Sequence, residues 1–330
     1  MDISSIPAAS PPPSEMALRL EQHRQELTGH CYRMLGSAFD ADDAVQETMV
    51  RAWRSFDQLE GSAAMRSWLY RIATNVCLDM LRGRSRRARP MDLGPAGSAE
   101  NPVLDTLVEA TWVLPIPDGR VLAASCDPAE LVSSRQTIRL AFVAALQRLP
   151  PRQRAALLLK EVLSWEAAEI AELLGMTVAS VNSALQRARA TMGQDEKTDL
   201  HEPMNEAQRS LLGRYVAAFE RQDVDALVSL LREDATWSMP PYRLWLRGRP
   251  SVHAWLLKVG EGCRGSRLLP VAANGSFALG QYRPSGPGGA FVPWAIQVIE
   301  LSAGEIVGVC SFLDAERLFP LFGLPLRPEA

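Results

Sequence analysis

Apolar residues recur at helical spacing over residues 16–34 and again over 41–56, and the second run opens on Asp40, Asp42 and Asp43, acids suited to the positive end of a helix. Residues 67–82 keep the same period and predict a third helix. Over residues 88–130 the pattern dissolves, because Pro90, Pro95, Pro102, Pro115, Pro117 and Pro128 recur too often for any regular element. This stretch predicts a partly extended linker. Residues 131–192 return to helical spacing, broken at Leu149-Pro150-Pro151, at Ser164 and at Gly175, which fits three or four short helices. A polar linker over 193–204 precedes a last segment, 205–330, that begins with two helical patterns and continues in short alternating runs such as 277–282 and 292–301. Helices followed by strands in that order predict an α+β domain after two all-α domains.

Composition narrows the class. A chain of 330 residues suits two or three small domains. Its 47% apolar and 22% charged residues exclude gross disorder outside the Pro/Ser/Ala-rich stretch 1–15. No apolar run approaches the roughly 18 residues that cross a bilayer, and the first residues lack a signal peptide's basic start and apolar core, so a cytoplasmic protein without membrane contact is expected. Cys31, Cys77, Cys126, Cys263 and Cys310 are scattered, without CxxC pairs or His at zinc-ligand spacing, so neither metal nor cofactor is expected. The net charge of −3 is unevenly spread: residues 66–90 hold seven Arg against the single acid Asp79, and residues 2–60 hold ten acids against five Arg. Two surfaces for two different partners follow from that asymmetry.

The sharpest local signal lies in residues 164–189. Ala168, Ile170, Ala171 and Leu174 supply one buried stripe, Gly175 a tight turn, and Thr177 a cap for a second helix with Val178, Val181 and Leu185 inward. Ser180, Asn182, Ser183 and Gln186 are left outward, with Arg187 and Arg189 beyond them. Such a helix suits a major groove, where polar side chains read base edges and arginines neutralise phosphate. Taken alone, the segment also fits a plain helical hairpin.

Residues 149–162, running from Leu149-Pro150-Pro151 through Arg154 to Val162 and into this helix-turn-helix, resemble region 4 of extracytoplasmic-function sigma factors. The resemblance implies binding of the minus-35 promoter element through Thr177, Ser180, Asn182, Ser183, Gln186, Arg187 and Arg189. Upstream, Asp40, Asp42, Asp43, Gln46 and Glu47 with Arg51-Ala52-Trp53 resemble region 2.2, which implies docking of Asp42, Asp43, Gln46 and Glu47 on core RNA polymerase. Positions 43, 46, 47 and 50 share one side of a helix, a spacing that also suits a merely solvated face. Residues 66–79, including Arg66, Trp68, Arg71, Ile72 and Asn75, resemble regions 2.3 and 2.4, which implies melting and capture of the minus-10 element by Leu59, Arg66, Arg71, Asn75 and Arg82. Arginines and aromatic rings can hold an unpaired strand by phosphate contact and stacking. Trp68, Leu69 and Ile72 equally suit a core. Glu60 before Gly61 departs from the basic residue frequent there in the family.

Residues 211–249, with Tyr215, Trp237, Met239 and Pro240-Pro241, resemble SnoaL-like domains, a curved sheet wrapped by helices around a conical pocket shared with polyketide cyclases and ketosteroid isomerases. Tyr215 falls on the position of the isomerase oxyanion donor, but the general-base position holds Met239, which accepts no proton, so catalysis is not expected. Tyr215, Trp237, Met239 and His253 are the candidate pocket residues, and a small-molecule ligand remains open. Residues 201–330 carry thirteen basic and thirteen acidic residues, so this domain has no charge to draw DNA. Intramolecular contact with the sigma domains is the expectation. The rival readings are a stand-alone DNA-binding regulator and a pocket enzyme or sensor in the tail.

Overall fold

The structure is a computed structural model that describes residues 13–56, 64–122, 128–193, 205–285 and 289–328. Its first four helices are α1 (Pro13–Glu21), α2 (Arg24–Leu35), α3 (Ala38–Arg54) and α4 (Met65–Met80). The run expected as one helix over 16–34 is therefore two. Ser37 caps α3, its side chain accepting from the Asp40 amide, so that Asp40 sits in the first turn where the helix dipole favours an acid.

Residues 88–122 form no long element, as their prolines dictate, yet they are far from loosely extended. Three 3-10 turns fold them down so that Trp112, Val113, Leu114, Ile116 and Val121 are buried. Burial is possible because the backbone finds partners: the Leu114 amide donates to Gly36 O at 2.9 Å and the Ala88 amide to Thr111 O at 2.7 Å.

Five helices follow where three or four were expected: α5 (Pro128–Ile138), α6 (Leu140–Gln147), α7 (Pro151–Glu161), α8 (Ala167–Leu174) and α9 (Val178–Met192). The anticipated breaks at Pro150-Pro151, Ser164 and Gly175 all occur, and Gly175 closes α8 at φ 60°, a left-handed conformation. Ala168 is exposed, against expectation, because the buried stripe of α8 runs through Ala171 and Leu174 from half-buried Ala167, the i, i+4, i+7 positions. Val178 is 45% exposed, and the inward face of α9 is Val181, Ala184, Leu185 and Ala188.

The C-terminal domain starts with α10 (Glu206–Glu220) and α11 (Val224–Ser229). Its six-stranded sheet comprises β1 (Leu231–Ser238), β2 (Trp245–Arg247), β3 (Arg267–Ala273), β4 (Ser276–Ser285), β5 (Ala290–Ser302) and β6 (Glu305–Phe312), in the order β2-β1-β6-β5-β4-β3. All neighbours are antiparallel except the parallel pair β1 and β6. Helices α12 (Arg249–Lys258) and α13 (Ala315–Leu321) complete the chain.

The sheet divides two cores. One face, with Leu279, Ile299, Leu301 and Val309, packs against α10, α11 and α12. The other face contributes Ala273, Ala278, Tyr282, Ile296, Val298 and Phe312 to a core that also holds Leu27 and Tyr32 of α2, Trp112 and Ile116 of the connecting segment, and Ile138 of α5. Sheet, connecting segment and both helical modules thus share one continuous apolar interior, in which burial is the main stabilising force.

Candidate promoter and polymerase interfaces

On α3, Asp43, Gln46 and Glu47 are exposed side by side, and Glu47 pairs with Arg51 one turn on at 2.7 Å. Asp42 differs, because the connecting segment reaches back and places the Arg120 guanidinium in hydrogen-bond contact with its carboxylate. Val50 (41% exposed) and Trp53 (43%) continue the same face. Acids beside uncovered apolar groups form a surface that can bind a basic protein patch by charge and by area.

Arg71, Asn75 and Asp79 recur every four residues and share one face of α4. Asn75 is exposed, and Arg82, just past the helix, is exposed and 3.3 Å from Asp79. Arg66 donates to Glu26 of α2 at 2.7 Å and lies over the Tyr70 ring. Arg71 does not face solvent alone: it donates to Glu172 of α8 at 2.8 Å and lies 5.7 Å from the centre of the Trp165 ring. The guanidinium holds the Glu172 carboxyl below the usual range. Leu59 lies outside the described residues.

At α9, Thr177 caps the helix, its hydroxyl accepting from the Ser180 amide at 3.1 Å. Thr177, Ser180, Asn182, Ser183, Gln186, Arg187 and Arg189 are all exposed, with Val178 adding an apolar group at the leading end. Arg189 donates to Glu161 of α7 at 3.0 Å. All seven are therefore exposed, with Arg189 engaged by an acid of its own module, whereas Arg66 and Arg71 of the minus-10 set are engaged by acids of other helices.

The two helical modules meet through buried polar contacts that the sequence did not announce. Arg154 of α7, 2% exposed, is hydrogen-bonded to Met34 O at the end of α2, and it donates at 3.1 Å both to Gln147 O and to Leu149 O. Burial lowers its guanidinium to about 10. Gln147 donates to Arg33 O at 3.2 Å, and Arg33 to Thr137 of α5 at 3.1 Å.

A second seam is centred on the turn between β3 and β4. Asn274 is fully buried at φ 56°, a conformation Asn tolerates. Its Oδ1 accepts from the Ile116 amide at 3.0 Å, and its Nδ2 donates to Tyr32 Oη at 2.6 Å and to Ile138 O at 2.7 Å. One amide therefore joins the C-terminal domain to α2, to the connecting segment and to α5. Next to it, the Gly275 amide donates to Asp118 at 2.7 Å, and a Cβ there would lie 2.7 Å from Arg135 O.

In the C-terminal domain a cavity of about 50 Å³ is lined by Trp237, Met239, Trp255, Cys263, Trp294 and Gln297 among others. Tyr215 lies behind it, donating to Gln297 at 3.0 Å, and Gln297 donates in turn to Gln281 at 2.8 Å. Burial pushes the Tyr215 hydroxyl up, so it stays a neutral donor. His253 does not join the pocket. It faces outward from α12, 2.8 Å from Asp225, because the inward positions of that helix are taken by Val252, Trp255 and Leu256.

A four-helix module with an exposed acidic face, a basic helix and a separate helix-turn-helix together define a transcription initiation factor with an appended α+β domain. The comparisons agree: residues 20–87 match sigma-70 region 2, residues 139–192 match sigma-70 region 4, and residues 212–309 match a SnoaL-like domain. The chain is 41% identical over 319 residues to the ECF RNA polymerase sigma factor SigG of Mycobacterium tuberculosis, covering 94% of this chain and 84% of that protein. It is 30% identical to SigJ of the same organism over 93% of both chains. The crystal structure of that SigJ superposes with a TM-score of 0.61 at 25% identity, covering 94% of this chain and 99% of the other. The chain belongs to the ECF RNA polymerase sigma factor family.

Proposed function

We propose that this chain directs RNA polymerase to a set of promoters as an alternative sigma factor, and that its C-terminal domain holds the promoter-reading modules in a closed, restrained arrangement. In this reading Asp43, Gln46 and Glu47, flanked by Val50 and Trp53, dock on core polymerase, and Asp42 joins them once Arg120 is displaced. Arg66, Arg71, Asn75 and Arg82, with Leu59 ahead of them, engage the minus-10 strand. The seven α9 residues engage the minus-35 duplex, Arg187 and Arg189 at phosphate and Ser180, Asn182 and Gln186 at base edges.

The carrying observation is the 2.8 Å ion pair between Arg71 of the minus-10 helix and Glu172 of the minus-35 module. The two promoter elements lie about 25 base pairs apart, which at about 3.4 Å per pair is about 85 Å of duplex. Helix α9, with 15 residues, is about 22 Å long. Modules in direct contact cannot span that interval, so promoter binding requires them to separate. The Asn274 turn opposes separation, since it bonds to α2, the connecting segment and α5 at once. The C-terminal domain serves here as a restraint and not as a catalyst, because the cavity offers a thioether, Met239, where the isomerase-like base would stand.

The test is the full-length chain, wild type and Asn274→Ala, mixed with core polymerase and assayed for co-purification and for initiation on genomic templates. Tighter association and higher output are expected from the variant. Equal association would refute the restraint, while no association by either protein would refute the sigma-factor reading itself.

A further inference from the structure

Between α5, the first turn of α10 and strands β3 to β5 lies a cleft of about 520 Å³, within the roughly 300 to 1,000 Å³ that small-molecule sites occupy. It straddles the seam: Arg135 and Arg139 come from the region 4 side, while Arg209, Phe277, Ile299 and Leu301 come from the C-terminal domain. Three guanidinium groups face one lining carboxylate, Asp118, whose Oδ1 already accepts the Gly275 amide at 2.7 Å. Burial raises that carboxyl above its ordinary value, against the opposing pull of the Gly275 amide and of Arg135.

Two donors in this wall lack acceptors. The Nε of Arg135 and the Nε2 of Gln136 are buried and meet no hydrogen-bond partner among the described residues. Both atoms are sealed from solvent, so what the open cleft offers a ligand is the guanidinium groups of Arg135, Arg139 and Arg209 among its lining residues. Arg139 donates to Leu301 O at 3.3 Å, and Arg209 pairs with Glu206 at 3.3 Å, so each is held at the cleft. Much of the remaining lining is apolar, from Pro270 and Val271 to Phe277 and Leu301. A lining that combines cationic and apolar side chains selects a molecule that is charged at one end and hydrophobic at the other. The 50 Å³ cavity deeper in the domain has no Lys or Arg among its lining residues and is a tenth of the size.

We infer that this interdomain cleft binds an amphipathic organic anion, with its carboxylate, sulfonate or phosphate head among Arg135, Arg139 and Arg209 and its apolar body against Phe277 and Leu301. A ligand that touches both sides of the seam stabilises the closed arrangement, because separation removes half of its contacts. That coupling rests on the restraint proposed above; the binding itself does not.

The test titrates the full-length chain with 1-anilinonaphthalene-8-sulfonate and, in parallel, with its uncharged relative N-phenyl-1-naphthylamine, following fluorescence and calorimetric stoichiometry. One sulfonate per chain is expected, bound roughly tenfold more tightly than the neutral compound. Arg135→Gln should weaken it about tenfold, and Arg209→Gln, at an exposed position where folding is not at issue, about threefold. Met239→Trp, which fills the inner cavity, should leave it unchanged. Equal affinity for the neutral compound, indifference to both arginine variants, or loss on Met239→Trp would each overturn the assignment. Saturating sulfonate should lower co-purification with polymerase; intact binding without that effect would overturn the coupling and leave the site standing.

Discussion

Replacing Asn274 by Ala tests the seam most directly, and the structure sets the size of the effect. Three hydrogen bonds vanish: from the Ile116 amide at 3.0 Å, to Ile138 O at 2.7 Å and to Tyr32 Oη at 2.6 Å. Tyr32 keeps its bond to Leu114 O at 2.8 Å, so the orphaned groups are the Ile116 N–H and the Ile138 carbonyl. Each unsatisfied buried group costs about 1 to 3 kcal/mol. Holding Ala instead of Asn at φ 56° adds about 1 kcal/mol. A loss of about 4 kcal/mol corresponds to an opening equilibrium about a thousandfold more favourable. Asn274→Gly accepts the left-handed turn freely and should lose about 1 kcal/mol less, which separates strain from bonding. The assay is hydrogen exchange by mass spectrometry on the peptide spanning residues 113–122, which carries the Ile116 amide. Faster exchange there, with protection retained in the core of Leu279, Ile299 and Val309, is the expected result. Unchanged exchange at Ile116 would refute the reasoning, as would loss of protection in both cores together, since that reports unfolding instead of opening.

His30 is fully buried against Thr74, at 3.0 Å, and Tyr70, and burial lowers its imidazole to about 3. The unfolded chain binds that proton near pH 6.5 and the folded one does not, so stability is lost as pH falls below about 6.5, by about 2 kcal/mol at pH 5. Urea unfolding at pH 7 and pH 5 should show that much less sensitivity in His30→Gln. Arg87 is buried between Asp40 at 2.7 Å and Trp112 O at 2.7 Å, so Arg87→Met should cost about 1 to 3 kcal/mol in thermal unfolding, chiefly by leaving Trp112 O without its donor, since Asp40 keeps Arg84 at 3.4 Å. Arg187→Ala should weaken promoter binding evenly across sequences and reduce its salt dependence, whereas Asn182→Ala or Gln186→Ala should change base preference in a binding-site selection. Uniform loss in the last two would place them at phosphate.

The helix-turn-helix was legible because local rules determine it: Gly175 for the left-handed turn, Thr177 for the cap, a 3.6-residue stripe for the buried side. The acidic face of α3 and the basic run after Arg66 were legible for the same reason, since residues four apart share a helix face whatever else the chain does. The order of helices and strands likewise announced an α+β domain, and Met239 in place of a base was visible as a residue type. Ala168 and Val178 were misplaced because end-of-helix positions bury only if a neighbour extends far enough to cover them, which periodicity does not encode.

What tertiary structure alone decided is how the modules are joined. Residues 88–122 read as a spacer because proline forbids regular elements, yet absence of secondary structure says nothing about burial, and Trp112 and Ile116 sit inside the shared core. Asn274 drew no notice as a surface-type turn residue, yet its side-chain bonds reach partners 136, 158 and 242 residues away in the chain. The Arg71 contact with Glu172 spans 101 residues. Local spacing fixes which face a side chain presents; only the packed chain fixes what meets that face, because hydrogen bonds and burial depend on distance in space and not along the sequence.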